Sequence, residues 1–161
     1  GLDVGPTFQG KSFSAVLSDP NAEIQDAVFA EHNWHDFNAH SRAIRTTQYK
    51  FIDNTYTDLP GTPPADAVRG ETYQAMLKLR TQGKLTADQQ QCFTLPRPAE
   101  ELYDLQNDPY ELQNLANDPQ FTAVRDQLRA QLSQWKQQTN DTVPKTRRPP
   151  KFDRETGERL Q

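Results

Sequence analysis

The sequence has one cysteine, Cys92, and one methionine in 161 residues. A lone thiol excludes an internal disulfide and a zinc site built from several cysteines. Long apolar runs are also missing. No stretch approaches the roughly 20 apolar residues of a membrane-spanning helix, and no secretory-leader pattern opens the chain. The body of the chain has no Lys/Arg-rich patch, and 18 basic against 22 acidic residues give a net charge of −4. That balance argues against non-specific nucleic-acid binding. Hydrophobic residues are scarce, at 34%, and mean hydropathy is −0.94, so the core is expected to be small for the chain length. The charged share is ordinary. The low hydropathy comes from neutral polar residues, with 17 glutamines foremost. Eight Phe, five Tyr and two Trp still offer buriable mass, and the modest net charge does not favour disorder.

Gly1-Leu2-Asp3-Val4-Gly5-Pro6 carries no initiator Met and no targeting segment. The chain therefore reads as processed, as a tag remnant ahead of an internal boundary, or as a fragment. An enzyme divided in this way can lack its own nucleophile.

Local signals outline the elements. Gln9 to Ser12 reads as a turn, Ser14 to Leu17 as a short helix, and Ala27 to Ala30 as a buried strand. Ile44, Tyr49 and Phe51 share one face only if the chain turns near Thr47-Gln48, which predicts a hairpin over 42–54. Pro63-Pro64 open a helix expected over Ala65–Gln82, with Val68, Tyr73, Met76, Leu77 and Leu79 on its apolar side and Gly83 ending it. Thr86 and Gln89 have capping-box spacing. Glu101 to Leu105 reads as a strand closing at Asn107-Asp108-Pro109. Asp118 and Pro119 then start a long helix, whose Phe121, Val124, Leu128, Leu132 and Trp135 form one apolar stripe. Beyond Asn140, Pro and Arg dominate, with Phe152 and Leu160 as the core formers. The expected fold is α+β. A small antiparallel sheet of about four strands has the long amphipathic helix on one face. Residues 1–140 form the domain and 141–161 an extended tail.

All three histidines fall in Glu31-His32-Asn33-Trp34-His35-Asp36-Phe37-Asn38-Ala39-His40, with Arg42 and Arg45 following. This stretch is expected to be a loop after the strand, where sites are commonly built. Three readings stand. It is a pocket for an anionic, hydroxyl-rich ligand, with imidazole, amide and carboxylate bonding hydroxyls and Arg forking onto sulfate or phosphate. It is a metal site, although the spacing is not His-Glu-x-x-His and no cysteine partners it. Or it only ties down the hairpin. Elsewhere, Cys92 is expected to be a buried small hydrophobe. Ser41 and Ser133 lie in no nucleophile motif, and the Arg147-Arg148 pair is expected to be solvated.

The segment Glu101-Leu102-Tyr103-Asp104-Leu105, with Asp108-Pro109, Glu111 and Asn114-Leu115, resembles the C-terminal portion of the type I sulfatases. Phe29-Ala30-Glu31, the His-rich stretch, Arg42 to Thr46, Tyr49 to Ile52 and the tail Phe152 to Gly157 are similar to the same family. The likeness is strongest to the heparan N-sulfatase (sulfamidase) branch and its bacterial relatives, and residues 55–98 are the least recognisable. The resemblance implies the C-terminal piece of an alkaline-phosphatase-like sulfatase. The substrate would be a sulfated amino sugar or glycosaminoglycan, with the N-sulfate or O-sulfate choice open. The compartment would be periplasmic, secreted or lysosomal-like.

The family's chemistry needs a formylglycine made within Cys/Ser-x-Pro/Ala-x-Arg, and Cys92-Phe93-Thr94-Leu95-Pro96 does not match. Formylglycine and calcium are therefore expected in an N-terminal sulfatase domain, which would be this chain's partner. The chain itself would hold no catalytic residue and no metal ligand. What the resemblance carries over is a substrate-pocket wall at Glu31, His32 and His35, with His40 and Arg42 next. From a different class, the chain would be a stand-alone carbohydrate-binding or protein-interaction module.

Overall fold

Four extended segments pair so that one apolar residue from each falls on a common face. The computed structural model describes Gly5 and residues 10–161; the turn expected from Gln9 lies partly outside the described residues. The strands β1 (Val28–His35), β2 (Phe37–Arg45), β3 (Tyr49–Asn54) and β4 (Glu100–Asp104) form one antiparallel sheet in the order β1-β2-β3-β4. The register sets Phe29 opposite Ile44, Ile44 opposite Phe51, and Phe51 opposite Leu102. This row is the floor of the core. Ile44, Phe51 and Leu102 have no exposed surface.

The helix α4 (Thr122–Gln138) covers that floor. The expected stripe faces the sheet: Leu128 and Leu132 are buried against Ile44, Phe51 and Leu102, with Phe121, Val124 and Trp135 partly buried around them. Trp135 stacks on Phe29 with ring centroids 5.2 Å apart. The Asp118 side chain accepts from the Gln120 N–H, and Pro119 opens a 3-10 turn over Pro119–Phe121 that leads into the helix. Lys136 pairs with Asp53, and Arg129 forks onto Glu100 at 2.6 and 2.5 Å, fastening α4 to β3 and β4. Among the described residues no helix is long and apolar enough to cross a membrane.

Several expectations change in the folded chain. The strand begun at Val28 is not buried: β1 is an edge strand, with Val28 48% and Phe29 37% exposed. The His-rich stretch is not a loop. It is a hairpin whose strands meet at a single residue, Asp36, held at φ 62°. Asp tolerates that left-handed conformation better than most residues. Its carboxylate also accepts from the Ala65 N–H at 2.8 Å, joining the hairpin tip to the next helix. The helix expected over 65–82 is two, α1 (Ala65–Arg69) and α2 (Glu71–Thr81), because Gly70 is extended at φ −66°, ψ 147°. Val68 is fully buried, while Tyr73, Met76, Leu77 and Leu79 are half-buried. Gly83 ends α2 at φ 64°. The capping box of Thr86 and Gln89 starts α3 (Ala87–Gln91) as expected. Cys92, expected inside, is exposed just after α3.

A second, smaller cluster of Phe37, Ala65 and Val68 lies under the hairpin tip, and the tail residue Phe152 packs on it. Arg147, expected in solvent, forks onto Asp58 at 2.6 and 2.9 Å and lies over the Tyr56 ring. Leu160 contributes little, at 45% exposed.

Removing side-chain volume at the centre of the α4 seam should therefore differ sharply from doing so in the tail. Leu132→Ala is expected to destabilise the fold by about 2–5 kcal/mol. Leu160→Ala should stay within about 0.5 kcal/mol of the parent. Denaturant unfolding of both variants checks this.

Candidate functional site

The hairpin positions the five sequence-predicted site residues by strand parity. Glu31 pairs with Arg42 and His32 with Ser41, which sets Glu31 and Arg42 on the helix-covered face and His32 on the other. A shift of register between His32 and Trp34 follows. It marks a bulge, of the kind that re-aims side chains near a strand end.

His32, His35 and His40 come together on one cavity of about 230 Å³. Tyr56, Arg97 and Arg154 complete the wall. Glu31 and Arg42 line a separate groove, with Asp141 and Trp135.

Arg42 is engaged inside the domain. Its Nε and Nη2 donate to the two carboxylate oxygens of Asp141 at 2.8 and 2.6 Å, and Nη1 donates to the Ser41 carbonyl at 2.9 Å. Nη2 also meets His40 Nε2 at 3.0 Å. A guanidinium can only donate, so His40 Nε2 must accept. The proton of His40 then resides on Nδ1, which faces Thr55 Oγ1 at 2.9 Å. Burial first, and the Arg42 charge second, hold the His40 pKa below the ordinary value. The Arg42 hydrogen bond holds the Asp141 carboxyl below its ordinary value. Arg42 thus positions His40 by fixing its tautomer.

His32 is also held below the usual imidazole value, by desolvation first and by the positive charge of Arg97 second. His35 is the most open of the three, its side chain 66% exposed with Nδ1 3.6 Å from the Asp36 carboxylate. The wall therefore presents the imidazoles of His32 and His35 beside two guanidiniums. That set suits hydroxyls and anions.

Among the described residues no group of three or more His, Cys, Asp or Glu is arranged to hold a metal ion. The Cys92 segment lacks the spacing that formylglycine formation needs. The described residues present fit neither group.

Sequence reasoning missed Arg97, Tyr56 and Arg154. Arg97 lies between two prolines, and Arg154 lies in a tail with no periodic pattern. Neither carries a local signal that ties it to the hairpin. Only the likeness of Phe152 to Gly157 to sulfatase tails marked that region at all.

Residues 89–138 match the family described as N-sulphoglucosamine sulphohydrolase, C-terminal. The chain is 39% identical over 95 residues to an ulvan-active sulfatase of Formosa agariphila, covering 58% of this chain and 16% of that protein. It is 32% identical over 103 residues to the N-sulphoglucosamine sulphohydrolase of Homo sapiens, covering 62% of this chain and 20% of that protein. Over residues 89–138 the chain is therefore similar to the C-terminal part of sulfatases.

Its fold is shared with a 2-O GAG sulfatase at TM-score 0.54 and 20% identity, over 87% of this chain and 22% of that one. It is also shared with a protein solved in complex with its substrate D-glucosamine-2-N,6-O-disulfate, at TM-score 0.56 and 18% identity, over 89% of this chain and 22% of that one. The chain spans only about a fifth of the length of such relatives. The matched stretch 89–138 contains β4 and α4 and excludes the histidine hairpin.

Two outcomes follow from the Arg42 arrangement. Asp141→Asn strips the carboxylate from a guanidinium whose side chain is 3% exposed, and should cost about 3–5 kcal/mol. Urea titration checks it. For pH, His40 binds its proton less readily folded than unfolded. The unfolded chain therefore takes up the extra proton as pH falls below about 6.5, and stability drops in that direction. A His40→Gln variant should show a flatter loss of melting temperature between about pH 7 and pH 5 than the parent.

Proposed function

We propose that this domain forms the sugar-facing wall of a sulfatase active site, hydrolysing an N-sulfate or O-sulfate of a sulfated amino sugar or glycosaminoglycan. One observation carries the reading: His32 and His35 line a single small cavity, with buried His40 in its wall, in a chain similar to sulfatases over residues 89–138. The formylglycine nucleophile and the calcium ion belong, in this reading, to an N-terminal sulfatase domain. The open edge and exposed apolar residues of β1 support a partner packed on that side.

The cavity bounds what the domain can hold. At about 230 Å³ it is smaller than the ~300–1,000 Å³ of pockets that enclose drug-sized ligands. It would grip part of one sugar unit, with the rest of the ring against the partner domain. Within it, His32 and His35 bond ring hydroxyls or the leaving amine, while His40, fixed by Arg42 and Thr55, is a rigid part of the wall. Glu31, 58% exposed at its side chain and 3.7 Å from Arg42, stands at the rim of the neighbouring groove.

The test uses the full-length enzyme. His35→Ala should lower kcat/KM on the native sulfated sugar by about tenfold or more beyond any loss on a small aryl sulfate, as expected when one hydrogen bond to the sugar is removed. Equal losses on both substrates would rule out the pocket role. Saturable sugar binding by this domain without its partner would favour a free-standing binding module instead.

A further inference from the structure

Arg154 is brought to the cavity by the tail, from more than a hundred residues beyond His40 in sequence. Its guanidinium carbon lies 4.7 Å from the centre of the Phe37 ring. Nη1 donates to Thr62 Oγ1 at 2.9 Å and reaches the Pro60 carbonyl at 3.4 Å, while Nη2 reaches the Asn38 carbonyl at 3.5 Å. All these partners are neutral. By contrast, Arg42, Arg97, Arg125, Arg129 and Arg147 each meet a carboxylate. Among the described residues, Arg154 is the arginine withdrawn from water that meets none. A cation placed so is held at a cost that a counter-charge would relieve. The cavity wall does not supply one, since no Asp or Glu lines it among the described residues. Burial accordingly disfavours the charged form of Arg154.

The position is built rather than incidental. The Asp153 carboxylate accepts from the Glu155 and Thr156 N–H groups at 2.9 and 2.7 Å, closing a turn directly after Arg154. Phe152 bridges to Arg159 and packs on the second core cluster. Arg69 donates to the Gly157 carbonyl at 2.6 Å, and Gln74 to the Glu155 carbonyl at 2.9 Å. Gly157 sits at φ 70°, and a Cβ there would lie 2.5 Å from the Ala65 carbonyl oxygen. Only glycine lets the turn seat on α1.

We propose that Arg154, with Arg97 in the same wall, forms an anion subsite for a sulfate or carboxylate substituent of the sugar other than the group being hydrolysed. The identity of that ligand rests on the sugar-sulfatase reading above; the anion preference rests on Arg154 itself. The subsite makes the domain selective for doubly anionic sugars. The fork geometry suits either oxyanion.

The full-length enzyme carrying Arg154→Gln, and separately Gly157→Ala, is assayed on glucosamine N-sulfate and on glucosamine N,6-disulfate, with melting curves to confirm folding. Both variants should lose about tenfold or more in kcat/KM on the disulfate beyond their loss on the monosulfate, chiefly through KM. Equal loss on both sugars overturns the subsite. The arms are repeated with a uronate-linked N-sulfated disaccharide and its uncharged glucose counterpart. A selective loss there alone names carboxylate as the anion, and on the disulfate alone names sulfate. If the parent enzyme releases sulfate from no sugar, the functional reading fails separately. Binding of inorganic sulfate to parent and Arg154→Gln then decides the subsite: weaker binding by the variant upholds it, and equal binding overturns it.

Discussion

A buried guanidinium on the covered face of the sheet sets the terms for this domain. Arg42 sits on β2 beside the apolar row, where an unpaired charge would be prohibitive. Asp141 meets it with both oxygens immediately after α4 has ended and Asn140 has turned the chain at φ 52°. The pair therefore does two things. It fixes where the chain leaves the helix, and so where the tail begins its path. It also presents a donor to His40, which leaves that imidazole one tautomer and keeps it neutral. The core, the tail and the cavity wall meet at this fork.

Two packed regions divide the work. The row from Phe29 to Leu102 under α4 is the larger core. The smaller cluster of Phe37, Ala65, Val68 and Phe152 joins the hairpin tip, α1 and the tail. Asp36 ties the same three-way contact through the Ala65 N–H. The histidine cavity belongs to this second region. Its wall is drawn from the hairpin, the 56–62 loop, Arg97 and Arg154, so it exists only when all four segments are in place. The family match lies on β4 and α4. Kinship therefore speaks for the scaffold, and the site has to be argued from its own side chains.

Much of the fold was legible. Period-two alternation located β3 and the end of β2 from Arg42, the run from Glu101 to Leu105 before a turn located β4, and the 3-4-4-3 spacing of the last stripe identified α4 and its buried face. The failures share a cause. The Glu31–His40 stretch is polar because one face opens to solvent or ligand and, among the described residues, β1 is an edge of the sheet, so an extended hairpin resembled a loop. The break at Gly70 was missed because a lone glycine inside an apolar helical pattern is tolerated, so the residue alone does not announce a stop. Arg147 stays exposed as expected, and only its pairing with Asp58, distant in sequence, had no local signal.

For the site, the sequence by itself determined that imidazole, amide and guanidinium groups would gather near residues 31–42, since residue type and proximity along one hairpin are properties of the chain. Strand parity also decided in advance that neighbours such as Glu31 and His32 could not share a face. Which of them share a cavity was settled only by tertiary structure. So were the engagement of Arg42 by Asp141 and the arrival of Arg154 from the tail. Those contacts join residues up to about 120 positions apart, and no local periodicity encodes a distance that chain folding alone brings about.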